Sequence, residues 1–163
     1  MTDRVYFWGP NKKNGEFSNF FESPMINREG TEFFCNEQYF MYYKCLLFDP
    51  DNTFILNKIL TSTNPKEIKN FGRKVRNFNE KIWNENKLVI MKNGLELKFD
   101  QNPHLAKKLV ATDDSILYEA SPYDKIWGIG MNEYNARNTS DDQMPGQNLL
   151  GKLLMEIRDQ MNN

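Results

Sequence analysis

Histidine and cysteine are nearly missing from this sequence. One histidine, His104, and two cysteines, Cys35 and Cys45, occur in 163 residues. A zinc site takes about four Cys, His or carboxylate ligands, so a Cys/His zinc centre is not expected. An oxygen-ligated magnesium stays open, but no metal or cofactor is assigned. Two thiols in a domain of this size make no disulfide framework, and both read as small hydrophobes. A lone His without a neighbouring Ser or Cys pattern makes a catalytic triad improbable. Long apolar runs are missing too. No stretch approaches the roughly 18 apolar residues of a membrane span, and none follows Met1 as a signal peptide would. The expectation is a cytoplasmic protein with no membrane partner and no evident obligate protein partner.

Net charge is also small, at −1, but it is unevenly spread. From Lys58 to Lys108 there are twelve Lys or Arg against five Asp or Glu, a local +7, and the remainder carries −8. Such a segment tolerates phosphate, although solvated helix faces would look the same. A sequence-independent duplex binder would carry a larger basic excess. What the chain has in quantity is aromatic carbon: twelve Phe, seven Tyr and three Trp. Rings bury large areas, and a chain of this length can form one core without staples.

Along the chain, Val5–Trp8 is β-prone, and Met25–Phe34 reads as a hairpin turning at Arg28-Glu29-Gly30. Asn36 is placed as the N-cap of a helix over Glu37–Phe48. Further helices are expected over Phe54–Leu60, from Asn64-Pro65 to about Gly72 or Val75, from Asn79 to about Phe99, and over Leu105–Val110 after Asn102-Pro103. The stripe Leu88, Met91, Leu95 and Phe99 marks the buried face of the longest helix. Ser115–Ala120 is β-prone, Tyr123–Pro145 is a long irregular loop, and Gln147–Met161 is a final helix. This is an α+β class chain: one compact, helix-rich domain over 1–163, with one small sheet from the N-terminal strands and the Ser115 strand.

Four segments could carry chemistry. Glu37 and Lys44 are seven residues apart, two helical turns, and so share a face with Phe40 and Met41. Apolar surroundings raise a carboxyl pKa and lower that of an amine, which suits a proton donor and a nucleophile. A helix-dipole Glu and a snorkelling Lys would give the same pattern. Asp124 sits in a turn before Trp127-Gly128-Ile129-Gly130, where glycine permits close backbone approach and Trp127 could stack on a base. Pro145–Gly151 is a Gly-containing loop leading into a helix, a place where free N–H groups can meet phosphate. Arg73 could grip a phosphate or carboxylate bidentately.

Taken in order, Phe17-Ser18-Asn19-Phe20, Glu37-x-Tyr39-Phe40-x-x-x-Lys44, Gly72-Arg73, Trp83, Met91-x-x-Gly94-x-x-x-Lys98-Phe99, Glu119 to Asp124 with Trp127-Gly128, and Asn148 to Gly151 resemble the YbiA-like, or NADAR, family. The likeness runs from about Phe7 to Arg158. It implies a helix-rich YbiA-type fold and an N-glycosidase acting at ribose C1′. The implied substrates are ADP-ribosylated guanine in DNA or RNA, or a phosphorylated ribosylamino-pyrimidine intermediate of riboflavin synthesis. Catalytic roles fall to Glu37, Lys44 and Asp124. Substrate contacts fall to Phe17, Ser18, Asn19, Phe20, Tyr39, Phe40, Arg73, Trp83, Trp127, Gly128, Asn148 and Gly151. One departure is Gln38, where the family usually has His. The alternative is a non-catalytic ADP-ribose or NAD-binding module built on the same pocket.

Overall fold

Val5 and its neighbours form a strand, but its partner lies more than a hundred residues away. In the computed structural model, which describes residues 2–163, β1 (Arg4–Phe7) pairs in parallel with β4 (Ile116–Glu119), Arg4 opposite Ile116 and Phe7 opposite Glu119. The expected hairpin forms from β2 (Glu22–Ile26) and β3 (Glu32–Cys35), antiparallel, with Gly30 at positive φ in its turn. Its register breaks between Glu22 and Met25, a stretch containing Pro24, which has no N–H for the ladder. The single small sheet expected from the sequence is therefore corrected to two separate two-stranded ribbons. The cause is topological: a parallel pair needs a long crossover, and the hairpin folds within that crossover and pairs only with itself.

The chain divides into two compact units. The first comprises Met1–Phe21 and His104–Asn163, the second Glu22–Pro103. In the first unit, α7 (Leu149–Met161) packs on β4, and Leu150, Leu153, Leu154 and Ile157 are buried. Most of α5 (Pro103–Val110) belongs to this unit, with His104 in its first turn. A second cluster gathers Tyr6, Tyr118, Ala120, Ile129 and Ala136. Arg4 fastens the irregular segment to it, donating to the carbonyls of Ala136 and Thr139 at 3.0 Å and pairing with Asp141 at 2.6 Å. That segment is less featureless than expected. It contains the short helix α6 (Glu133–Ala136) and a 3-10 turn at Asp141–Gln143.

Helices dominate the second unit: α1 (Asn36–Phe48), α2 (Thr53–Thr61), α3 (Pro65–Gly72) and α4 (Glu80–Gln101). Asn52, Asn64 and Asn79 cap α2, α3 and α4, each accepting from an N–H of the first turn; such a cap contributes about 1 kcal/mol. Asn36 was expected to cap α1, and it does not. The cap is Cys35, and Asn36 is the first helical residue, donating from Nδ2 to Met91 Sδ at 3.2 Å. Burial of the polar side chain against α4 prevailed over capping. Of the expected α4 stripe, Met91, Leu95 and Phe99 are buried, whereas Leu88 lies exposed one turn nearer the free end of the helix.

Gln38 binds three elements together. Its Oε1 accepts from the Phe34 N–H at 2.5 Å, and its Nε2 donates to the carbonyls of Ile59 at 2.8 Å and Ser62 at 3.1 Å. It is therefore a buried clamp joining β3, α1 and the end of α2. A neutral histidine also offers one donor and one acceptor. Gln38→Leu strands buried polar groups and should lower unfolding stability by about 2 kcal/mol or more. Gln38→His should cost less than about 1 kcal/mol, both read from denaturant midpoints. In the first unit, a Cβ on Gly146 would meet the Gly128 carbonyl oxygen and lie 2.6 Å from the Ile129 carbonyl carbon. Gly146→Ala should cost about 1–3 kcal/mol, with the midpoint shifted and the slope unchanged.

Candidate active site

The α1 face expected to carry chemistry is a helical stripe. Positions 37, 40, 41, 44 and 48 recur at +3, +1, +3 and +4 and share one side. Glu37, Phe40, Met41 and Phe48 are buried there, and Lys44 is partly buried. Gly72, at the end of α3, lies against Met41: a Cβ there would collide with the Met41 sulfur. That close approach brings Arg73, the residue after α3, within electrostatic reach of Lys44.

Four rings form a cluster, and two of them lie beside this amine. Phe40 packs on Trp83 with centroids 5.0 Å apart, Phe48 stands edge-on to Phe78 at 5.3 Å, and Trp83 lies 6.1 Å from Phe48. The Lys44 Nζ sits 5.1 Å from the Phe78 centroid and 5.7 Å from that of Trp83. Burial holds the Lys44 pKa below its ordinary 10.5; Glu37 opposes the shift and Arg73 adds to it. The result is an amine with an enlarged neutral fraction, a carboxylate within electrostatic range, and aromatic faces that favour positive charge.

A second lysine of this unit is withdrawn from solvent altogether. Lys98 of α4 is fully buried. Both it and Glu37 act on the Cys35 thiol, which burial pushes up to about 12. Sequence reasoning gave Lys98 and Phe78 no role. Lys98 was visible only as a letter in the Met91–Phe99 motif, and Phe78 lies in a turn with no periodicity to mark it. The same motif turns out to be a helix crossing: a Cβ on Gly94 would clash with Asn36 Oδ1 and lie 2.7 Å from Tyr39 Cδ1.

Thus the second unit gathers Glu37, Phe40, Lys44, Arg73 and Trp83. Tyr39 does not join them. It lies about half a helical turn away, packed on Phe33 at 5.1 Å and Tyr43 at 4.5 Å in the hairpin's core, with burial raising its hydroxyl to about 12. A cavity of about 530 Å³ in this unit is lined by Met25, Phe34, Gln38, Ser62 and Gln101 among others, and includes neither Glu37 nor Lys44.

The remaining expected residues belong to the first unit. Phe17 is fully buried, edge-on to Phe7 at 5.8 Å, and is core rather than ligand surface. Ser18 is buried and its Oγ accepts from the Phe20 N–H at 3.1 Å, while Asn19 and Phe20 are half-buried. Asp124 shapes a turn, its Oδ1 accepting from Ile126 and Trp127 at 2.9 Å. Gly128 is a packing glycine, since a Cβ would lie 2.9 Å from two carbonyl oxygens. Asn148, at positive φ, donates to the Leu117 carbonyl and accepts from the Glu119 N–H. A Cβ on Gly151 would meet the Leu117 oxygen. The N–H groups of Asn148, Leu149 and Leu150 donate to the carbonyls of Gly128, Ile126 and Trp127. The helix start expected to receive phosphate is thus filled by the protein's own loop.

Among the described residues, no group of three or more His, Cys, Asp or Glu is placed to hold a metal ion. No helix among them is long and apolar enough to cross a membrane.

Residues 6–162 match the NADAR domain. The chain is 42% identical to an N-glycosidase of Acanthamoeba polyphaga mimivirus, over 98% of this chain and 97% of that one. It is 31% identical to a chloroplastic riboflavin biosynthesis protein of Zea mays, over 90% of this chain and 23% of the longer relative. The solution structure of the E. coli protein YbiA superposes with a TM-score of 0.78 at 29% identity, covering 99% of this chain and 87% of that one. With near-complete coverage by a named N-glycosidase and a shared helix-rich fold, the chain is an enzyme of N-glycosidase type and belongs to the NADAR domain family.

Proposed function

We propose that the bond cleaved is the N-glycosidic bond at ribose C1′, and that the substrate is ADP-ribosylated guanine or a phosphorylated ribosylamino-pyrimidine. The observation that carries this reading is Lys44: an amine partly buried among Phe78 and Trp83, its pKa lowered, with Glu37 and Arg73 acting on it. The riboflavin-related name of the Zea mays relative supports the second substrate. The exposed guanidinium of Arg73, within the +7 segment, suits the phosphate that both substrates carry.

Cleavage at C1′ develops oxocarbenium character. The neutral Lys44 amine attacks C1′ as the C1′–N bond breaks, and Glu37 delivers a proton to the departing nitrogen. Opening of the sugar ring then gives a Schiff base on Nζ, which water hydrolyses to regenerate the amine. Positive charge passes from the anomeric carbon to the iminium nitrogen without leaving the ring faces of Phe78 and Trp83, which stabilise it at each stage. Glu37 is held close by the same helix, so its proton travels a short path.

Incubation with ADP-ribosylated guanine oligonucleotide should release free ADP-ribose, and borohydride should trap a covalent adduct on Lys44. Lys44→Ala should abolish the adduct, and Glu37→Gln should slow turnover by about 10²–10⁴-fold. Binding of ADP-ribose with no turnover of either substrate would favour a non-catalytic module instead. Because the neutral amine is the reactive form, kcat/KM should rise with pH along a limb lying below 10.5. Arg73 depresses the Lys44 pKa, so Arg73→Gln should move that limb to higher pH and raise KM for phosphorylated substrate.

A further inference from the structure

We infer that Phe78 is a specificity-determining residue of this site: its ring, staked beside Lys44 by the turn that follows α3, stacks on the planar base joined to the substrate's ribose. The inference rests on the glycosidase reading, because it places the leaving base where Lys44 meets C1′.

Phe78 is 48% exposed although it contacts a core ring. It meets Phe48 in a T-shaped contact at 5.3 Å, and Trp83 lies 6.5 Å away at a 75° interplanar angle. Such a ring is partly packed and partly open to solvent. The turn that carries it is fixed at two points. Asn77 adopts φ of 62°, a left-handed conformation that Asn tolerates better than most residues, and its Nδ2 donates to the Phe48 carbonyl at 3.3 Å. One residue earlier, the Arg76 N–H donates to Asp49 Oδ2 at 3.1 Å, an oxygen that Asn52 also holds at 2.8 Å. The end of α1 therefore grips the backbone on the N-terminal side of Phe78.

A solvated core contact would need neither the left-handed residue nor the two side-chain ties. A half-exposed ring whose centroid lies 5.1 Å from the Lys44 amine is instead placed for the group leaving C1′, and aromatic rings accept any base with little regard to its edges. Trp83 and Phe40, more deeply set, then form the floor beneath the sugar and Phe78 the wall beside the base.

The test compares guanosine 5′-monophosphate with ribose 5-phosphate, which differ by the base at C1′. Quenching of tryptophan fluorescence reports binding, with turnover of the ADP-ribosylated oligonucleotide measured in parallel. Wild type should bind the nucleotide more tightly. Phe78→Ala should weaken the nucleotide by about tenfold while leaving ribose 5-phosphate unchanged. Phe78→Tyr should restore the preference, and Phe78→Leu, which keeps apolar bulk without a π face, should not. Asn77→Ala, which frees the turn, should give an intermediate loss. Equal effects of Phe78→Ala on both ligands, or none on either, would overturn the inference even if turnover persists. Ring-selective binding through Phe78 with no turnover by wild type of either the oligonucleotide or the phosphorylated ribosylamino-pyrimidine would sink the glycosidase reading alone. Absence of both binding and turnover in wild type sinks the two together.

Discussion

The close crossing of α1 and α4 constrains everything in the second unit. Gly94 leaves no room for a Cβ between the helices, and Asn36 reaches across to the Met91 sulfur. With α4 against one side, the hairpin core against Tyr39 and Tyr43, and α2 and α3 on the flanks, α1 is buried around most of its circumference. A helix enclosed in this way cannot rotate or slide without breaking several contacts at once. Its two charged groups are therefore presented in fixed positions, as preorganised catalysis requires. Gln38 completes the enclosure by joining α1 to β3 and the end of α2. Its side chain sits about a quarter turn from the Glu37–Lys44 line, so exchange with histidine at this position changes a clamp rather than a reacting group.

The first unit uses its polar groups in the opposite way. The loop from Asp124 to Gly128 turns its carbonyls toward the start of α7, and the N–H groups there are consumed. Asn148 ties the same junction to β4 on both edges of its amide. Gly128, Gly146 and Gly151 are required because backbone passes within contact distance of each. A buried loop must satisfy its backbone internally, and this one does so with groups that, read as a motif, looked like a ligand cradle. In the second unit, by contrast, the Arg73 guanidinium both meets solvent and acts on Lys44.

Local chemistry made much of the fold legible in the sequence. Asn-Pro pairs opened α3 and α5, Asn79 opened α4, and the Gly30 turn closed the hairpin, because each signal is satisfied within a few residues. What failed to show was long-range. Asn36 looks like a cap until α4 arrives to bury it, and Leu88 looks like core until the helix is seen to extend beyond the unit's packed centre. The pairing of β1 with β4 is invisible to any window shorter than the crossover. The shared face of Glu37, Phe40 and Lys44 was readable because helical spacing alone groups them. Tyr39 was grouped with them by proximity in sequence, although its angle on the helix turns it into the hairpin core. Phe78 and Lys98 depend on partners from other elements, and no periodicity announces them.

Lys44 sets this face apart from ordinary packing. Burial lowers its pKa, so the folded protein binds that proton less tightly than the unfolded chain does. The linkage then has a definite sign: stability at this residue rises as pH climbs from the folded pKa toward the ordinary 10.5, and below that window the full penalty remains. At neutral pH the amine destabilises the fold that holds it. Glu37 reduces the penalty, yet Arg73 increases it, and a packing role would be served better by methionine or leucine in the same volume. An ionisable group kept where it opposes folding, with Arg73 acting on it and the rings of Phe78 and Trp83 beside it, is the kind of perturbed residue that concentrates at functional sites.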